Sequence, residues 1–124
     1  MDKFQAAFEI LYFLSAIDGK VDDRELDVII NFLNANKMKI NFNPADVVAS
    51  IGTLSPDGMV DELEIAAGVF KQGSTASDRT ALLDFGLQLI AADGKLAENE
   101  AKLLYLLGTA WNIDMNRYIE SRAS

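Results

Sequence analysis

Carboxylates at a repeated spacing are the residues of this sequence best suited to chemistry. Asp18, Asp22 and Glu25 fall in one short acidic stretch, Ala16-Ile17-Asp18-Gly19-Lys20-Val21-Asp22-Asp23-Arg24-Glu25. A fixed offset carries it onto Ala91-Ala92-Asp93-Gly94-Lys95-Leu96-Ala97-Glu98-Asn99-Glu100, where Asp93 and Glu100 recur in the places of Asp18 and Glu25. Hard cations such as calcium, magnesium or manganese take oxygen ligands of this kind, with affinity set largely by the number of carboxylates. The candidate ligands are therefore Asp18, Asp22, Glu25, Asp93 and Glu100. Three further acids near the same elements, Glu9, Asp84 and Glu98, are secondary candidates.

An EF-hand is the first chemistry to test. With Gly19 at the glycine position of such a loop, Asp18, Asp22 and Glu25 fall on acceptable ligand positions, but the first and third ligand positions fall on Leu14 and Ala16. The second copy puts Leu89 and Ala91 there. Half of the oxygen cage is missing both times, so neither turn is an EF-hand. What remains is a weaker site in which two or three carboxylates and turn carbonyls hold a hydrated cation. Against it stands a purely structural account, in which Asp-Gly makes the turn and the acids cap a helix. Asp22 and Glu25 have the N-cap and N3 spacing of a capping box. In the second copy Ala97 replaces Asp22 and cannot cap, yet Glu100 is kept, which gives Glu100 a use other than completing that box.

The elements that must position these acids read as helices throughout. Apolar residues at helical spacing place a first helix over about residues 3 to 17, apolar nearly all round, as a helix in the middle of a bundle is. Glu9 interrupts it and reads as a partly exposed or hydrogen-bonded side chain; its mate at the repeat offset is Asp84. A second helix starts at Asp22 and ends near residues 34 to 37. Asn43-Pro44 and Ser55-Pro56 each set a capping side chain before a proline at the first helical position, which predicts helices from Pro44 to about Thr53 and from Pro56 to about Lys71. Asp57-Gly58 echoes the acidic stretch but falls inside the first turn of that fourth helix. A flexible link over residues 72 to 77 leads to a fifth helix capped by Ser77. A sixth runs from about Ala97 to Trp111, and Asp114 caps a short last one. No segment alternates with period two over a strand's length. The expected fold is all-α, a single-domain bundle of six to seven helices over residues 1 to 124, with two internally repeated helix, Asp-Gly turn, helix units at about 3–37 and 77–111. Leu14, Ile29, Leu89 and Leu104, which recur at matching repeat positions, are the expected core.

Composition closes off several functions. A chain of 124 residues, half of them hydrophobic, can bury a core without staples. With neither cysteine nor histidine it has no disulfide, no thiolate metal site and no serine or cysteine triad. A net charge of −8, from 19 acids against 11 bases, repels a phosphate backbone and suits cations or a basic protein surface. The expected partner is thus a basic protein, with no nucleic acid and no direct membrane insertion. The apolar run from Phe8 to Ile17 lacks a basic flank and contains Glu9, so it is read as neither a signal peptide nor a span. The expected location is cytoplasmic.

The doubled pattern of helix, Ala-x-Asp-Gly-Lys-apolar-x-acid-x-Glu, helix resembles the TerB-like family of tellurite-resistance proteins, whose fold also occurs in the cytoplasmic region of certain membrane-anchored DnaJ-type co-chaperones. The matching positions are Asp18, Gly19 and Glu25, then Asp93, Gly94 and Glu100. The resemblance implies an all-helical bacterial cytoplasmic domain tied to tellurite and other chemical stress, with metal association through the acids and no established enzymatic activity. Ala97 departs from the more polar residue expected there and predicts a weaker second turn. Three readings follow: a non-catalytic acidic interaction module, a divalent-cation binder with no certain cofactor otherwise, and a co-chaperone-like regulatory domain. An enzyme is not expected, because no nucleophile or phosphate-binding loop accompanies the carboxylates.

Overall fold

The structure, a computed structural model, describes residues 1–16, 21–38, 40–90 and 98–123. Seven helices follow one another: α1 Lys3–Ala16, α2 Asp23–Ala35, α3 Pro44–Ile51, α4 Pro56–Gly73, α5 Ala76–Ile90, α6 Glu98–Trp111 and α7 Met115–Ala123. Among the described residues there is no strand. No described helix is long and apolar enough to cross a membrane.

The helix starts are written in short polar signals. Asp22 accepts from the Glu25 N–H at 2.9 Å, Asn43 from Ala45 N–H at 3.0 Å and Ser55 from Gly58 N–H at 3.1 Å, each satisfying one of the donors that a helix N-terminus leaves open. Proline follows at the first position of α3 and α4. Asp114 caps α7 by accepting from Arg117 N–H. At α5 the cap is Thr75 and not Ser77: Thr75 Oγ1 accepts from Asp78 N–H while Asp78 accepts from Thr75 N–H, a reciprocal box that moves the helix start two residues earlier. With α4 running on to Gly73, the expected six-residue link shrinks to Ser74 and Thr75.

Helix α1 is the hub. It packs most extensively on α4 and also on α2 and α5, while α6 packs on α4. That role explains its composition: Ala6, Ala7, Phe8, Ile10, Leu11, Phe13 and Leu14 are all buried, on more than one face. The core continues through Ile29 and Leu33, Leu63 and Phe70, and Leu104 and Leu107. Leu89 is the exception among the four expected core residues, being only half-buried, one position from the end of α5. Its neighbour Ile90 takes the buried place.

Contacts fix the direction of each helix. Lys3 lies against Gly73, so α4 runs antiparallel to α1. Lys3 also acts on Asp78, and Leu14 fills the space beside Gly86, so α5 runs parallel to α1. The α2 C-terminus, at Asn36 to Met38, meets Lys3 and Phe4, which makes α2 antiparallel to α1. Trp111 at the end of α6 packs on Phe70 and donates its indole N–H to the Ala67 carbonyl at 2.9 Å, setting α6 alongside α4 in the same direction. One end of the bundle therefore collects the starts of α2, α4 and α6, and the other collects the start of α1 with the ends of α2 and α4.

Candidate functional site

The sequence places its candidate acids at helix starts, and the fold gathers those starts at one end. Asp22 and Asp23 are exposed at the head of α2, Asp57 at the head of α4, and Glu98 at the head of α6. Carboxylates there meet the positive end of a helix dipole, worth about 0.3–1 kcal/mol each. Glu98 also forms an exposed ion pair with Lys102 at 3.7 Å. Arg24 is the one basic residue within the first turns of these three helices. Among the described residues, acids outnumber bases at this end.

Of the individual candidates, Asp22 is the N-cap already described. Glu25 is half-buried and supplies only its N–H to the cap; among the described residues its carboxylate makes no return bond, so half of the expected capping box is absent. Glu100 is buried, at 2 % exposure, in the first turn of α6. Asp84 is half-buried on α5 and accepts from the Tyr118 hydroxyl of α7. Asp18 and Asp93, with both Asp-Gly turns, lie outside the described residues. Among the described residues no three acids form a group that could hold a metal ion.

Of the two alternatives expected for Glu9, partly exposed or hydrogen-bonded, the second holds: it is buried, at 1 % exposure, in the seam between α1 and α4. Gln5, one turn earlier, donates from Nε2 to Glu9 Oε2 at 2.9 Å. The other oxygen, Oε1, accepts no hydrogen bond from an N–H donor among the described residues. Burial first of all, and then Glu62, facing it from α4 both as a hydrogen-bond partner for the protonated form and as a like charge, push the Glu9 carboxyl up to about 7 against the lowering effect of Gln5. Near neutrality Glu9 therefore retains its proton in a good part of the molecules. Glu62 was not among the sequence candidates, although helical spacing from Met59 to Ala66 puts it at the edge of the apolar stripe.

The outer face of α4 completes the site. Val60 and Ile65 are exposed at 42 % and 55 %, beside the exposed acids Asp61 and Glu64. On α2, Val28 is likewise exposed next to Asp27.

Comparison with known proteins agrees with this architecture. The family model described as tellurite resistance protein TerB matches residues 5–123. The chain belongs to the TerB family. A search of curated proteins and a search of solved structures gave no match. Membership identifies a helical module of the tellurite-resistance kind, and the TerB match spans all seven helices except the first two residues of α1.

Proposed function

We propose that this TerB-family chain is a non-catalytic interaction module that docks a basic protein segment on its anionic end during a chemical stress response in the bacterial cytoplasm. The observation that carries this reading is the outer face of α4, where the exposed Val60 and Ile65 stand among Asp61 and Glu64. A face of that composition suits a segment carrying lysine or arginine beside apolar residues: the acids steer and orient it, and the apolar side chains add buried area. The net charge of −8 extends the attraction beyond contact range.

A lysine-rich peptide with interspersed leucines, titrated into the protein and followed by backbone amide shifts, tests this directly. Saturable shifts along α4 that vanish in an Asp61→Lys, Glu64→Lys variant support docking. Shifts reproduced by salt at matched ionic strength would eliminate it.

A divalent cation is the second reading, with Asp18, Asp22 and Glu25 as its first site and Asp93 and Glu100 as a weaker one. It is favoured by the Glu25 carboxylate, which the cap leaves unused. Residue-specific shifts with millimolar calcium, magnesium or manganese, lost in Glu25→Gln, are its expected sign. A co-chaperone-like regulatory role has no separate support in the geometry.

A further inference from the structure

At the end of the bundle opposite the anionic face, a cavity of about 100 Å³ opens between the start of α1, the end of α2 and the turn joining α4 to α5. Lys3, Lys37, Asn36 and Ser74 supply its polar wall, with Phe4 and Phe70 among its apolar lining. Two lysines from separate elements therefore border one small space in a chain whose net charge is −8, and the Lys3 ammonium lies over the Phe4 ring, 5.2 Å from its centroid.

Lys37 is held there against local preference. Its φ is 60°, in the left-handed region, and it closes the end of α2: the Lys37 N–H bonds to the Asn34 carbonyl and the Met38 N–H returns to Leu33 at 2.9 Å. Glycine ordinarily fills this position because a Cβ is strained there. Among the described residues the other left-handed position with a side chain, at the end of α6, is Asn112, a residue type that tolerates it. Nothing in the backbone calls for a lysine at 37, and Lys37 is one of the residues that line the cavity.

The other polar groups are largely committed. Ser74 Oγ donates to the Phe70 carbonyl and accepts from Arg79, and Asn36 Nδ2 donates to Phe32 O. Asp78 also borders the cavity; its carboxylate accepts the Thr75 N–H and balances one lysine. Two lysines against one aspartate make the cavity's described lining net positive. Its volume, roughly that of three waters, suits a small oxyanion and little more.

We propose that this cavity is a binding site for a small oxyanion of the phosphate kind, held by the ammonium groups of Lys3 and Lys37. Lysine serves such ligands as a point charge on a flexible stem, which fits an anion presented either free or as the end group of a small metabolite.

The test is a titration of the full chain with inorganic phosphate and, separately, with glycerol 3-phosphate, against sodium chloride at matched ionic strength, read by backbone amide shifts. Saturable shifts at Phe4, Met38 and Thr75 are expected, and the better of the two ligands tells a free anion from an esterified one. Lys37→Gly relieves the left-handed strain, so it should melt at the same or a higher temperature while binding at least tenfold more weakly. Lys3→Gln, on a different element, should weaken binding similarly. Shifts that never saturate, that chloride reproduces, or that survive unchanged in both variants would overturn the proposal.

Discussion

The two ends of the bundle handle charge in opposite ways. At one, the acids are spread over the starts of α2, α4 and α6, where helix physics alone accounts for them: Asp22 caps, Asp23 and Asp57 meet a dipole, and Glu98 pairs with Lys102. At the other, Lys3 and Lys37 converge on a cavity, and Lys37 does so from a backbone position that disfavours it. A charge that local structure explains says little about a ligand. A charge held against local structure says more, which is why the smaller, cationic end yields the sharper inference and the anionic end supports only a general docking role.

Both ends hang on the same core, so the largest expected effects come from there. Leu14→Ala and Leu104→Ala should each cost about 2–5 kcal/mol in denaturant unfolding, and the half-buried Leu89→Ala clearly less. Equal losses at all three would mean that the described packing is wrong.

The seam between the ends carries the next effect. Glu9 titrates near 4.5 when unfolded and at about 7 when folded, so the folded chain holds a proton that the unfolded chain releases. Stability from this group is complete below about pH 4.5 and falls as pH rises through 7, by roughly 3 kcal/mol in all. Glu9→Gln, which keeps the bond network and removes the charge, should therefore raise stability at pH 8 and flatten the slope between pH 5 and 8. Unfolding midpoints across that range check both, and a wild-type midpoint independent of pH would contradict the raised Glu9 carboxyl.

Caps give smaller effects of opposite sign at the two ends. Asp22→Ala should lose about 1 kcal/mol, and Lys37→Gly should gain up to about 1 kcal/mol by freeing the left-handed residue. Thermal melts of the pair measure the contrast.

The seven helices were legible because polar caps and apolar spacing agree along most of the chain. Asp22, Asn43, Ser55 and Asp114 each announce a start that the structure confirms. The error at α5 has a simple source: Thr75 and Ser77 can both cap, and only the reciprocal bonds with Asp78 decide for Thr75. The candidate site was less legible. Spacing marks Glu9 as an acid on an apolar stripe, but whether it is buried depends on α4, which a single helix pattern does not place. Glu25 illustrates the reverse, since its capping-box spacing is present while the return bond is not. Lys37 carries no sequence signal at all, because a left-handed residue is visible in sequence chiefly when it is glycine or asparagine.

The central claim, that the two ends present opposite charge to different ligands, is tested most directly by mapping backbone amide shifts on one labelled sample with a lysine-rich peptide and then with inorganic phosphate. The account predicts two separate footprints: the peptide along α4 from Asp57 to Ile65 and at the start of α2, and phosphate at Phe4, Met38 and Thr75. Overlapping footprints, or shifts matched by sodium chloride for both ligands, would contradict it.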